Sequence, residues 1–272
     1  MKFEFWQGLT LPKIGFGTWE IGGGSYANPS LATKSMAALR SALELGYTHF
    51  DTAEMYGSGH AEELLGQAIR RSGIKRESLF IASKVLPEHL RYDAVLTSCE
   101  GSLRRLGMDY LDLYLIHWPR MGMNLPDTFR ALNQLVKEGK VRHLGVSNFN
   151  LKLLKQSMEL SETPLLTDQV PYSIYDRDYA KNGVLDFCRA NKVILTAYSP
   201  VGQGHFPLNN TLRSIAEKHS ATPHQVALAW LIVQSNVITI PMSFDPGHQK
   251  QNLEAAEMEL TASEMEQLEH LR

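Results

Sequence analysis

The chain has 272 residues, 43% of them hydrophobic, and 27 Lys and Arg against 29 Asp and Glu give it a net charge of −2. That apolar share is ample for a buried core, no apolar run approaches the roughly 20 residues of a membrane span, and no basic cluster is longer than Arg70-Arg71 or Arg104-Arg105, so neither membrane nor nucleic acid is an expected partner. Cys99 and Cys188 stand apart and the ten His form no His-Glu-x-x-His motif, so neither a disulfide framework nor a metal site is indicated.

The first elements are two short β-type runs, Phe3 to Trp6 and Leu9 to Leu11, joined through Gln7-Gly8 as a hairpin that could plug one end of a barrel. Strand and helix signals then alternate. Strands are predicted near Ile14 to Gly17, Tyr47 to Asp51, Phe80 to Lys84, Leu111 to His117, Val141 to Val146, Leu165 to Val170, Val193 to Tyr198 and Val237 to Ile240. Helices are predicted near Ser30 to Leu45, Ala61 to Arg71, Tyr92 to Leu106, Pro126 to Glu138, Leu151 to Leu160, Tyr179 to Asn191, Pro223 to Gln234 and Pro246 to Glu257. Two further helices are expected, near Leu212 to Lys218 and from Glu264 to Arg272, the latter opened by the capping box Thr261 to Glu264. Thr222-Pro223 and Asp245-Pro246 each place a cap residue before Pro at the first helical position. Short apolar strands alternating with helices predict a parallel sheet covered on both faces, and eight such units predict a single (β/α)8 barrel domain over residues 1–272, with an open doubly wound sheet as the fallback.

The unusual residues fall at strand exits. Asp51 ends the second predicted barrel strand, and Tyr56 follows inside a Gly-bounded loop; Lys84 ends the third strand and His117 the fourth. A free Tyr has a pKa of about 10 and is a poor proton donor at neutral pH unless its phenolate is stabilised. A cation about 4 Å away, at an effective dielectric of about 20, contributes on the order of 4 kcal/mol, or roughly three pKa units, and a neighbouring Asp would hold that cation in place. Taken singly, Asp51 reads as a strand-end acid, Tyr56 as a loop aromatic, Lys84 as a solvated lysine and His117 as a core histidine. Their occurrence at three successive strand exits, with Ser147, Asn148, Gln169, Tyr198 and Ser243 at or near later ones, brings them to the barrel face where active sites are built.

Asp51, Tyr56, Lys84 and His117 resemble the catalytic tetrad of the aldo-keto reductase family. The resemblance runs through Gly15-Phe16-Gly17-Thr18-Trp19, Gly46 to Gly57, Ser83-Lys84, Leu115-Ile116-His117-Trp118-Pro119, Gly145-Val146-Ser147-Asn148-Phe149, Gln169, Ala197-Tyr198-Ser199-Pro200 and Ile240-Pro241, nearly the whole chain. It implies an NAD(P)H-dependent reductase of small aldehydes and ketones, α-ketoaldehydes among them, with Trp19 and Trp118 lining the substrate pocket. It also implies a cofactor extended across the barrel mouth. Tyr198 would stack on the nicotinamide, Ser147, Asn148 and Gln169 would bind its carboxamide, and Gly17 and Thr18 would touch it. The pyrophosphate would lie along Ser199, Val201 and Gly202 to Gly204, and the adenine end near Ser243, His248 and Asn252. No Gly-x-Gly-x-x-Gly follows the first strand, as expected for this family.

The chain departs from the family where Met242 and His248 replace a Lys and an Arg that grip the 2′-phosphate in many relatives, with Asp245 between them; NADPH is still expected ahead of NADH. The family's long C-terminal segment has no counterpart after the last predicted helix, so an open pocket bounded by Ala27 to Pro29, Trp118 and the Pro119 to Leu125 loop is expected, with Met121 and Met123 as adaptable walls. A start carrying Glu4 and Gln7 gives no export signal, and the expectation is a cytoplasmic monomer. Two competing readings remain: a regulatory protein on the same scaffold, like the potassium channel β subunits, and a Schiff-base aldolase using Lys84, which would need a desolvated, uncharged lysine.

Overall fold

The computed structural model describes residues 2–202 and 207–271. β1 (Phe3–Trp6) and β2 (Leu9–Pro12) pair antiparallel from Phe3↔Pro12 to Trp6↔Leu9, and the turn between them carries Gln7 and Gly8 at φ 44° and 88°. The hairpin turns Trp6 and Leu11 onto Phe80, Leu113, Leu166, Ile194 and Ile238, the inward-facing residues of the barrel strands, and so plugs one end as the sequence suggests.

Eight parallel strands follow in sequential order: β3 (Phe16–Gly17), β4 (His49–Asp51), β5 (Phe80–Val85), β6 (Leu111–Ile116), β7 (Val141–Ser147), β8 (Leu165–Pro171), β9 (Ile194–Tyr198) and β10 (Val237–Thr239). The sheet closes on itself through a parallel bridge between Ile14 and Thr239, where Gly15 N donates to Thr239 O and Thr239 N to Lys13 O, each at 2.8 Å. Every residue of β5 and β6 is buried, because one face of a barrel strand meets the interior and the other the helices.

The outer layer comprises α1 (Ala32–Glu44), α2 (His60–Ser72), α3 (Tyr92–Leu106), α4 (Leu125–Lys137), α5 (Leu151–Leu160), α6 (Asp178–Lys181), α7 (Val184–Ala190), α8 (Asn210–Lys218), α9 (Pro223–Ile232), α10 (Pro246–Glu254) and α11 (Ala262–Glu269). Local chemistry sets their starts. Thr222 with Gln225, and Thr261 with Glu264, form complete capping boxes at α9 and α11. The one helix expected over Tyr179 to Asn191 is instead two, α6 and α7. Gly183 takes φ 85° between them, a conformation that breaks the helical ladder and that glycine adopts without penalty, while Asn182 turns its side-chain oxygen onto Val184 N. The first barrel strand is shorter than expected, Ile14 contributing only the closing bridge. Arg272, the predicted end of the last helix, lies outside the described residues. Among the described residues no helix is long and apolar enough to cross a membrane.

Candidate active site

β4 delivers Asp51 at its last residue, β5 delivers Lys84 one residue before its end, and His117 follows β6 directly. Tyr56 opens a single tight turn, Tyr56–Gly59, that leads into α2. The four side chains converge. The Lys84 ammonium, fully buried, bonds to Asp51 Oδ1, donates to Thr52 O at 2.9 Å and reaches Tyr56 Oη at 3.1 Å, so three acceptors surround its three N–H donors. Because the phenol oxygen accepts from Lys84, its own proton points elsewhere and is available to a bound molecule. The Tyr56 ring stands edge-on to His117 at 5.5 Å and to Trp19 at 5.0 Å between centroids, which fixes its direction from two sides.

The charge states follow from the surroundings. Burial pulls the Lys84 ammonium down, but the Asp51 carboxylate and the Tyr56 oxygen outweigh it and hold the ammonium above its ordinary range. Burial pushes the Tyr56 phenol up, against a downward pull from Lys84 and with a smaller upward push from Asp51, so the phenol is protonated at neutral pH. Lys84 therefore moderates a rise caused by desolvation instead of driving a net fall. Burial, helped by the Lys84 charge, pushes His117 down to about 2, leaving a neutral imidazole with one N–H, and its Nδ1 is buried with no partner among the described residues.

The residues expected at the nicotinamide end sit on the next three strand exits and are wired into the same cluster. Gln169 Nε2 donates to Asp51 Oδ2 at 2.9 Å. Ser147 Oγ donates to Gln169 O at 2.7 Å, Asn148 Nδ2 donates to His117 O at 3.1 Å, and Tyr198 Oη donates to Asn148 Oδ1 at 2.9 Å. Asn148 holds φ 63°, a left-handed conformation that Asn tolerates better than most side chains, and this turns its amide back toward β6. Thr18 is fully buried and uses both its N–H and its hydroxyl on Asp51 O, at 2.9 and 3.0 Å, while Gly17 N donates to Pro241 O at 3.2 Å. In the structure Gly17 and Thr18 brace the Asp51 backbone.

The segment expected at the adenine end is less well supplied. Asp245 caps α10, its carboxylate accepting from His248 N at 2.9 Å, and these backbone amides hold it below the usual carboxylate range. The helix N-terminus is thus already met by the chain's own anion. Ser243 Oγ accepts from Asp245 N at 3.1 Å, His248 is exposed, and the Tyr47 hydroxyl donates to Gln249 O at 2.8 Å, with Asn252 beside it. Ser199 and Gly202 take φ 51° and 62°, and Val201 is half-buried; Gln203 and Gly204 of the expected pyrophosphate loop lie outside the described residues. Trp118 is half-exposed beside His117, and Met121 is almost fully exposed on the loop before α4.

One site residue went unrecognised in the sequence. Glu54, two positions before Tyr56 and 8% exposed, accepts from Leu86 N and lies 3.2 Å from His89 Nδ1, tying the Tyr56 segment to the exit of β5. Its only signal was an acid between Ala53 and Met55 in an otherwise uncharged run from Thr52 to Tyr56.

Comparison with known proteins agrees with this fold. The family model for the aldo/keto reductase family matches residues 13–272. Glyoxal reductase of Bacillus subtilis is 37% identical over 265 residues, covering 97% of this chain and 90% of its own length, and methylglyoxal reductase of Escherichia coli is 36% identical over 272 residues, covering 98% and 93%. Among solved structures, a thermostable aldo-keto reductase in complex with the inhibitor epalrestat superposes with a TM-score of 0.95 at 44% identity, covering 99% of each chain. An aldo/keto reductase of Klebsiella pneumoniae in complex with NADP and acetate superposes with a TM-score of 0.87 at 35% identity, covering 97% and 92%. With the barrel, the buried Asp51–Lys84–Tyr56 cluster and a match over nearly its whole length, the chain belongs to the aldo/keto reductase family, whose members named here are carbonyl-reducing oxidoreductases.

Proposed function

We propose that the protein reduces small aldehydes and ketones, α-ketoaldehydes among them, to alcohols at the mouth of the barrel, with NADPH preferred to NADH. The observation that carries this is a phenol, Tyr56, held 3.1 Å from an ammonium inside a buried ion pair. The names of two relatives, glyoxal and methylglyoxal reductase, support the substrate class, and the Klebsiella pneumoniae structures with NADP and NADPH support the cofactor. The donor set fits a nicotinamide: amides and hydroxyls of Ser147, Asn148 and Gln169 stand beside the relay, with the Tyr198 ring next to them.

When bound, the reduced nicotinamide supplies the hydride to the carbonyl carbon. Tyr56 donates its proton to the oxygen as negative charge develops there, and neutral His117 donates a hydrogen bond to the same oxygen. Lys84 stabilises the phenolate left behind, Asp51 keeps Lys84 charged, and Gln169 fixes the second Asp51 oxygen. An ammonium held charged in this way cannot serve as a Schiff-base nucleophile, which counts against the aldolase reading. The regulatory reading finds no support, since the relatives are named as reductases. Absorbance at 340 nm, followed with NADPH and then NADH against methylglyoxal, aromatic aldehydes and sugars, tests the proposal; no oxidation of either cofactor with any carbonyl would defeat it. The same proposal takes the single barrel to act as a cytoplasmic monomer without a nucleic-acid partner, which sedimentation with and without DNA checks.

Cofactor choice has its own expected result. With Met242 and His248 in place of two cations and Asp245 already capping α10, the dissociation constants of NADPH and NADH, read by quenching of tryptophan fluorescence, are expected to lie within about tenfold, since each charged hydrogen bond forgone is worth roughly 1.5 to 3 kcal/mol. Met242→Lys is expected to tighten NADPH by about tenfold or more and leave NADH unchanged. Equal tightening of both would show that position 242 does not face the 2′-phosphate.

A further inference from the structure

On the outer side of the barrel wall, behind Lys84, lies a second charged group that no reacting atom touches. Glu62 on α2 is fully buried. Its Oε1 accepts from Ser83 Oγ at 2.5 Å and its Oε2 from Arg105 Nε, on α3, at 2.6 Å. A carboxylate is carried into a protein interior only when it is paired and hydrogen-bonded, and here both oxygens are engaged. The partners are the informative part. Ser83 immediately precedes Lys84, and because successive strand residues point to opposite faces, Ser83 faces α2 while Lys84 faces the barrel interior. Arg105 lies against Gly59, the last residue of the turn that begins with Tyr56: a Cβ on Gly59 would come within 2.5 Å of Arg105 Nε and 2.6 Å of its Cδ. Arg105 Nη2 also reaches Ser102 Oγ at 3.3 Å, which anchors the guanidinium on its own helix.

One ion pair thus holds the strand that carries the ammonium and abuts the turn that carries the phenol. We infer that Glu62 and Arg105 are positioning residues that set the Tyr56–Lys84 contact from outside the barrel, through Ser83 on one side and Gly59 on the other. This rests on the assignment of Tyr56 and Lys84 as the proton relay. The pair acts through placement and not through its field, since the charges that bear on Tyr56 are those of Lys84 and Asp51. If the pair is broken, the turn and the strand are free to separate, Lys84 withdraws from Tyr56, and the downward pull of the ammonium on the phenol weakens. Reduction requires the protonated phenol and is lost as pH rises through its pKa, so a weaker pull moves the alkaline limb of the rate to higher pH.

The experiment compares Glu62→Gln, Ser83→Ala and Tyr56→Phe in the full-length enzyme by steady-state kinetics across pH, cofactor fluorescence titration and thermal unfolding. Glu62→Gln is expected to lower kcat about tenfold and Ser83→Ala about threefold, with KM and the cofactor dissociation constant within about twofold and the alkaline limb displaced upward by about half a pH unit. Should Glu62→Gln fail to fold, Ser83→Ala, which removes a single hydroxyl, decides the matter alone. A lowered melting temperature with kcat and the alkaline limb unchanged, while Tyr56→Phe is inactive, overturns the positioning role and leaves the relay standing. Turnover retained in Tyr56→Phe removes the relay and this inference with it.

Discussion

Tyr56→Phe is expected to lower kcat by 10²- to 10⁴-fold, about what a positioned general acid contributes, while leaving the cofactor dissociation constant within about twofold. The substitution removes one oxygen and keeps the ring, so the edge-on contacts with Trp19 and His117 persist and the turn into α2 has no reason to move. What disappears is the only group in the cluster that has both a proton to give and an ammonium behind it. His117 cannot take over. Burial and the Lys84 charge keep it neutral, and a neutral imidazole is a hydrogen-bond donor far too weak in acid strength to protonate an alkoxide's precursor at the same rate. Because desolvation raises the Tyr56 phenol above its ordinary range, the wild-type reduction rate is expected to stay flat through neutral pH and to fall only on the alkaline side. Stopped-flow turnover with methylglyoxal checks both points. Retention of more than about a tenth of normal turnover in Tyr56→Phe would assign the proton to another group.

How much of this was legible in the sequence depends on the range of the contact. The alternation of strand and helix is a local pattern, repeated eight times, and the strand exits carried Asp51, Lys84 and His117 to one face before any distance was known. The caps at Thr222, Asp245 and Thr261 are local too, and each holds in the structure. The break at Gly183 was missed because one glycine in an otherwise helical pattern is tolerated as often as it interrupts, and only its left-handed backbone decides. The bond between Gln169 and Asp51 spans 118 positions, and that between Arg105 and Glu62 spans 43; spacing along the chain contains no trace of either. Net charge states were beyond reach for the same reason. Lys84 was legible as the cation beside Tyr56, but the burial that reverses the net shift of the phenol is a property of the packed barrel.

His49 shows the same limit, and it carries the largest expected effect on stability. Its ring, at the start of β4, is sealed between Gly15, where an added Cβ would lie 2.7 Å from Nδ1, and Phe80, edge-on at 5.1 Å; Nδ1 has no hydrogen-bond partner among the described residues. Burial pushes it down to about 4, against upward pulls from Asp51 and Asp112 and with a further push down from Lys84, as burial pushes His117 down to about 2. Both histidines are neutral in the folded protein and titrate near 6.5 in the unfolded chain. Below pH 6.5 the unfolded state therefore binds more protons than the folded one, and stability falls as pH falls. Each site contributes a slope that reaches about 1.36 kcal/mol per pH unit below the unfolded pKa and fades as the folded pKa is approached, so between pH 7 and 4.5 the two together are expected to remove about 5 kcal/mol, a large part of the stability of an ordinary domain. Buried Asp168 works the other way: burial raises its carboxyl well above the ordinary range, so the folded barrel takes up that proton before the unfolded chain does and offsets part of the loss. Lys84 is silent in this range: its folded pKa is raised, so its contribution is complete below about 10.5 and is lost only as pH rises through the folded value. Urea midpoints at pH 7 and pH 4.5 measure the fall. His49→Gln, which does not titrate, is expected to remove the His49 share, about half of what the two histidines contribute, whatever its own cost, because that loss is a difference in proton uptake and not in packing. An unchanged slope in that variant would show that the imidazole at position 49 takes up its proton in the folded barrel, and the acid sensitivity would then fall to His117 with His143 and His224, which burial also pushes down.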